Sequence, residues 1–347
     1  MTLDVVMADD GIVFDGRTKD VAPLGGAETA FAELAEALAA RGHRVRAYSR
    51  CAAPLSWAGV DWIPLERGVP DGADLYIANR SWRLILECRR AKRGIFWIHN
   101  PARYLLKWRY QWRLLKRRPP IVFSGANHRS TYPAWACGGA RPIIPYGISA
   151  PFLGATERTE APPPRAVFLS NPMRSLDWLL DLWAARIAPA VPGAELHIFG
   201  GASVYGGSAA AKSDRAAPIV ARARSMEAQG VLVHGPVGKT QLAARLAEMR
   251  LFLYRGDIGE TFCNAAAESQ AMGVPGVVED IACMAERVRD GTTGFVARDA
   301  DGFAQAAIRL LSDPTLWLEQ HRNCLKSQRS WRWAEAAAAF EAMGPAP

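Results

Sequence analysis

Apolar residues occur along this chain in short blocks separated by longer stretches with helical spacing. Leu3 to Ala8 is an apolar run of strand length, Pro23 to Gly26 reads as a turn, and Ala27 to Arg41 sets Ala27, Ala30, Phe31, Leu34 and Leu38 on one helical face. Gly42 stands where a glycine closes a helix. His43 to Tyr48 then alternates with period two and completes a β-α-β unit. Tyr76 to Asn79, Gly94 to His99 and Ile121 to Ser124 continue as short strands with helical stretches between them, the pattern of a parallel sheet covered on both faces.

The texture changes near Ser149. Pro151 to Arg165 contains three consecutive prolines, Pro162 to Pro164, and little that packs, so it reads as an interdomain linker. The alternation then restarts. Ala166 to Ser170 is a strand, Ser175 to Ile187 a helix with Leu176, Leu179, Leu180 and Trp183 inward, and Glu195 to Phe199 a strand ending in Gly200-Gly201. Val231 to His234, Arg250 to Tyr254 and Gly276 to Glu279 follow as strands. The pattern predicts an α/β protein of two doubly wound domains, residues 1–150 and 166–347, with the last helix able to pack back on the first domain.

Composition agrees with two folded domains: 347 residues, 50% hydrophobic and 22% charged. No apolar run reaches the ~18 residues of a membrane span, and Met1 to Asp10 carries acids where a secretion signal carries Lys or Arg, so the expected location is the cytoplasm. The six cysteines are scattered, without a Cys-x-x-Cys pair or a histidine at metal spacing, and fit reduced core thiols; no metal site is expected. Charge changes the picture more. Thirteen Lys/Arg against one acid lie between Arg80 and Arg118, so that window outweighs the chain's net charge of +8 and leaves the remainder acidic. Within it Leu105, Trp108, Trp112 and Leu115 recur at spacings of three and four, among Lys107, Arg109, Arg113, Lys116 and Arg117. Such a helix suits an anionic membrane surface, or packs its apolar stripe in the core and solvates its basic face. Nucleic acid is the less favoured polyanion for it.

Gly235 to Thr240 ends like a phosphate-binding Gly-Lys-Thr loop, but the glycine required five positions earlier is Val233. Thr240 reads instead as the first residue or cap of a helix carrying Leu242 and Leu246. Gly25-Gly26-Ala-Glu28 lies between a strand and a helix, where amides meet anions or simply make a turn. From Gly259 to Pro275 a polar loop leads into a helix starting near Thr261, with Glu260 at its mouth and Glu268 about two turns inside. Carboxylates so placed accept hydrogen bonds from vicinal hydroxyls, or are ordinary surface acids. His99 ends a strand at the sheet edge where ligands bind, although a lone histidine there also serves structure.

Glu260 to Pro275, two glutamates eight apart followed by Ala-Met-Gly-Val-Pro, resembles the signature of the GT-B glycosyltransferases, particularly family 4, the retaining nucleotide-sugar enzymes. Gly25 to Glu28 resembles that family's glycine loop, Pro145 to Ile148 its Pro-Asn-Gly turn, Ser170 to Arg174 its phosphate-binding segment and Gly291 to Phe295 its late Gly-x-x-Gly-Phe turn. Five pieces in order span nearly the whole chain. Two positions depart: only Arg174 is charged where the family commonly holds an Arg and a Lys, so Arg255 or Lys239 is expected to share the phosphate role, and Tyr146 replaces Asn, with little consequence expected.

The resemblance implies two Rossmann-like domains facing across a cleft, and transfer of a sugar from a UDP- or GDP-sugar to an acceptor hydroxyl on a glycan or lipid-linked acceptor, without a metal cofactor. Glu260, His99 and Arg174 are the catalytic candidates. Glu268 would hold the ribose; Gly25, Gly26, Asn171, Lys239, Thr261, Phe262, Cys263 and Asn264 would line the donor. The same frame also suits an epimerase, a phosphorylase or an inactive binding protein.

Overall fold

The computed structural model describes residues 2–22, 24–200 and 209–344, with side chains of 209–214 excepted. Pro23 of the expected turn and Gly201 of the expected strand end lie outside the described residues.

The first compact unit comprises Met1–Gly147 and Trp331–Pro347. Its strands are β1 (Asp4–Ala8), β2 (Arg44–Ser49), β3 (Leu55–Trp57), β4 (Val60–Pro64), β5 (Leu75–Asn79), β6 (Arg93–Trp97) and β7 (Ile121–Val122), in the sheet order β3-β4-β2-β1-β5-β6-β7. All pairs are parallel except β3 with β4. Val5 to Ala8 of β1 and Leu75 to Asn79 of β5 are buried on both faces, as central parallel strands are. Helix Gly26–Ala40 buries Ala30, Phe31, Leu34 and Leu38. It closes as a Schellman motif: Gly42, at φ +89°, donates to Ala39, and the His43 amide donates to Leu38.

The second unit is Ile148–Ser330, with β8 (Arg165–Phe168), β9 (Glu195–Ile198), β10 (Val231–Val233), β11 (Leu251–Leu253), β12 (Gly276–Glu279) and β13 (Gly294–Ala297). Its sheet is wholly parallel, in the order β10-β9-β8-β11-β12-β13. Leaving the antiparallel edge β3 aside, both sheets have the doubly wound order 3-2-1-4-5-6, in which the order of strand addition changes sides between β1 and β5 and between β8 and β11. Loops leaving the carboxyl ends of those strands are where such sheets bind ligands.

Several expectations are corrected. Pro151–Arg165 is built into the second unit rather than strung as a linker: Phe152 is fully buried, and the Arg158 amide donates to His321 while its guanidinium donates to the Ala247 carbonyl. The second domain ends at Ser330 rather than at residue 347: the chain from Trp331 belongs to the first unit, in line with a last helix that packs back on it, and helix Trp333–Glu341 buries Trp333, Ala336, Ala337 and Phe340 there. The helix after Glu260 begins at Asn264, because Cys263 takes a left-handed φ of +61°; Glu268 therefore lies little more than one turn inside, not two. Gly238, not Thr240, caps helix Lys239–Leu246. The Gly291-to-Phe295 turn leads into β13, and Gly294, at φ +143°, lies so close to Gly276 of β12 that a Cβ would strike its carbonyl oxygen.

Candidate active site

In the second unit the signature residues meet at the reversal of the sheet. After β8, Asn171 makes a tight turn: its side-chain oxygen accepts from the Met173 amide and its carbonyl from the Arg174 amide. That turn aims the Arg174 guanidinium at the Glu260 carboxylate, with which it forms a hydrogen-bonded ion pair. The loop after β11 is braced by Asp257, whose carboxylate accepts from the Gly259 amide and whose carbonyl accepts from the Glu260 amide. Tyr254 donates its hydroxyl to Glu260 at 3.1 Å.

Glu268, buried on the following helix, is held by a different cation. Lys239 Nζ lies 2.8 Å from its carboxylate and 2.6 Å from Ser149 Oγ. Thr261, Phe262 and Cys263 are buried between the two glutamates, and Arg287 lies over the Phe262 ring at 4.4 Å. Burial pushes the Cys263 thiol well up and that of Cys283 to about 12, so both stay protonated. Arg255 is committed elsewhere, to Glu279 at 2.9 Å and over the Trp178 ring, which leaves Lys239 as the better second cation of the two considered.

In the first unit Gly25 caps helix Gly26–Ala40 in an extended conformation, and Glu28 in its first turn pairs with Arg80 at 2.8 Å. Arg80 follows β5 and also reaches Asp9, which follows β1. Asp9 is fully buried and accepts from the Gly11 amide, Arg80 and the Asn79 side chain. Burial opposes the charge on Arg80, but Asp9 and Glu28 hold its pKa above the ordinary arginine value. Asn79 in turn meets His99 Nε2 at 2.6 Å, and His99 Nδ1 meets the Tyr146 hydroxyl at 2.5 Å. Tyr146 also stacks on Trp333, so its replacement of Asn, expected to matter little, anchors both the histidine and the returning chain. Burial, with Arg80 and His128 adding to it, drives the His99 pKa well below the ordinary value and keeps the ring neutral.

Asp9, Asn79, Arg80 and Tyr146 were not among the sequence candidates. The available signal was polar residues placed directly after runs as apolar as Val5 to Ala8 and Tyr76 to Ala78.

The basic segment is helix Trp108–Arg117, and its inward residues are Tyr110 and Leu114. Leu105 is buried in the preceding turn, outside the helix, whereas Trp108 is 79% and Leu115 60% exposed. Arg117 donates to the Ile85, Glu87 and Cys88 carbonyls, and Arg113 lies over the Trp82 and Trp112 rings. Arg117 and Arg113 thus brace the fold, and Lys107, Arg109 and Lys116 accompany the exposed apolar pair.

Residues 163–313 match the family model described as glycosyl transferases group 1. The match lies within the second unit and covers under half of the chain. The fold of the whole chain is GT-B. Sucrose-phosphate synthase from Thermosynechococcus elongatus superposes with a TM-score of 0.73 at 16% identity, covering 98% of each chain. Anabaena HepE, solved with UDP and glucose, gives a TM-score of 0.69 at 14% identity over 98% of each chain. AviGT4, a glycosyltransferase involved in avilamycin A biosynthesis, gives 0.61 at 18% identity, covering 98% of this chain and 96% of its own. No curated protein matches the chain by sequence. Among the described residues no helix is long and apolar enough to cross a membrane, and no group of three or more His, Cys, Asp or Glu is placed to hold a metal ion.

Proposed function

We propose that this protein is a glycosyltransferase that takes its sugar from a nucleoside diphosphate sugar, with UDP favoured over GDP, and passes it with retention to an acceptor hydroxyl of a glycan or lipid-linked acceptor. The observation that carries the reading is that both glutamates of the signature are held by cations from distant elements, Glu260 by Arg174 and Glu268 by Lys239. A bound diphosphate supplies the negative charge that the glutamates supply here. Arg174 and Lys239 turn to the phosphates, Glu268 is released to accept from ribose hydroxyls, and Glu260, still steadied by Tyr254, meets the donor sugar. The amides of Thr261 to Asn264 and those of Gly25 and Gly26 add fixed dipoles, and Asn171 keeps Arg174 aimed. Charge growing on the leaving diphosphate is then met by side chains and amides, without a metal. His99 serves the sugar. The complex of HepE with UDP and glucose supports UDP as the nucleotide.

The test is thermal unfolding with UDP and GDP in EDTA. Ligand at 100 times its Kd stabilises by about 2.7 kcal/mol, and UDP is expected to do so without Mg2+. A flat response in EDTA with a shift only on adding Mg2+ would refute the metal-free reading. The exposed Trp108 and Leu115 beside Lys107, Arg109 and Lys116 support a second element of the proposal, peripheral docking on an anionic membrane from the cytoplasm.

A further inference from the structure

His99 is surrounded by a chain of hydrogen bonds whose direction follows from its far end. Asp9 is a carboxylate paired with Arg80 and receiving the Gly11 amide, so towards Asn79 it offers an acceptor. The Asn79 amide nitrogen must therefore face Asp9, at 2.6 Å, and its oxygen must face His99 Nε2. Only an Nε2–H can satisfy that oxygen. A neutral ring protonated there carries a lone pair on Nδ1, which accepts the Tyr146 hydroxyl. Asp9 and Asn79 are fully shielded from water, so no solvent molecule relieves a wrong orientation.

We infer that Asn79 is a positioning residue that transmits the polarity of Asp9 to His99 and fixes its imidazole as the Nε2–H tautomer, with Nδ1 kept as a hydrogen-bond acceptor. The inference rests on the reading of His99 as a residue that serves the donor sugar. An acceptor at Nδ1 receives O–H groups, that of Tyr146 here and a sugar hydroxyl in its place during the reaction. The groups that bear on the ring's charge are Arg80 and His128, which oppose its protonation, and the Tyr146 hydroxyl.

Asp9→Asn tests the relay because it is isosteric and reverses it. Arg80 and the Gly11 amide both donate to the same oxygen of residue 9, so an asparagine there turns its NH2 towards Asn79. Asn79 must then flip, presenting its own NH2 to His99 and forcing the Nδ1–H tautomer. The readout is the nitrogen NMR spectrum of histidine-labelled protein, with His99 assigned by the signal lost in His99→Gln, beside kcat for transfer from a UDP-sugar. Wild type is expected to show Nε2–H unchanged from pH 5 to 8. Asp9→Asn should show Nδ1–H and a kcat lower by about 10- to 100-fold, the usual scale for an outer residue that orients a functional imidazole. The double variant Asp9→Asn with Asn79→Asp should restore Nε2–H, since a carboxylate at position 79 only accepts, and recover kcat.

An Nδ1–H ring in wild type, an unchanged tautomer in Asp9→Asn, or a reversed tautomer with undiminished kcat each overturns the inference. If Asp9→Asn does not fold, Asn79→Asp alone decides: facing the buried Asp9 carboxylate it must hold a proton, donate that O–H to Asp9 and offer its carbonyl oxygen to His99, so it should keep Nε2–H with kcat within a few-fold of wild type. Loss of Nε2–H in that variant overturns the inference equally. Tautomers that behave as described in a protein that transfers no sugar would sink the proposed reaction and leave the relay intact.

Discussion

At the scale of single residues, the two glutamates of the signature separate cleanly. If Glu268 holds the ribose as proposed, Glu268→Gln keeps the shape but loses the accepting charge, and nucleotide affinity is expected to fall by about 1–3 kcal/mol. Glu260→Gln removes the carboxylate paired with Arg174, so on the same proposal UDP binding should hold or tighten while turnover falls. Calorimetry on both variants checks this, and equal losses of affinity would contradict the roles. A second residue-scale prediction concerns acid. His128 accepts the Ser124 amide at Nδ1 and donates from Nε2 to the Asn100 carbonyl, so its ring is neutral and burial lowers its pKa to about 4. Its stabilising effect is complete above the unfolded value near 6.5 and is lost as pH falls towards 4; about 2 kcal/mol should be gone by pH 5. Urea unfolding at pH 7 and pH 5 measures it, and equal stability at the two would mean that the ring is not buried neutral.

At the scale of elements, the outward face of helix Trp108–Arg117 predicts binding to vesicles that grows with anionic lipid content and falls with salt. Trp108→Ala with Leu115→Ala should reduce binding at every salt concentration, whereas Lys107, Arg109 and Lys116 changed to Gln should remove the salt-sensitive part, each basic residue contributing on the order of 1 kcal/mol. Co-sedimentation indifferent to lipid charge and to both sets of substitutions excludes docking through this face. The same helix shows why sequence pattern stops short. Its hydrophobic spacing marked Leu105, Trp108, Trp112 and Leu115, yet the core takes Leu105 from the turn at Ala102–Leu106 and then Tyr110 and Leu114, because the helix starts only at Trp108 and does not continue the spacing of that turn. The long parallel strands were legible because they are apolar on both faces. β3 and β4 were not: β3 is a three-residue edge strand, and exposed Ser56, Trp57 and Asp61 break the apolar run of the pair. Glu260, Glu268 and Arg174 could be read from motifs, but their pairing needed the fold, as did the chain from Asp9 to Tyr146, whose members are spread over more than a hundred residues.

At the scale of the whole molecule, the chain leaves the first unit after Gly147 and re-enters it at Trp331. Gly147 permits the return, since a Cβ there would strike the Trp333 backbone, and the Trp331 indole donates to the Pro145 carbonyl at 2.9 Å. Ending the chain after Ser330 should uncover helix Gly26–Ala40 and strip Trp97 of its Phe340 neighbour. The expected result is selective destabilisation of the first unit, read by hydrogen exchange as lost protection in β1 and β5 with β8 and β11 unaffected; uniform protection in the truncated chain would contradict it.

That re-entry also divides the cost of closing the chain unequally. The second unit is one uninterrupted stretch, whereas the first is completed only when Trp333 and Phe340 return to it from beyond the whole of the second. The loop-closure entropy of that long excursion falls on the first unit alone, so its last helix is the piece whose loss the molecule feels on one side only.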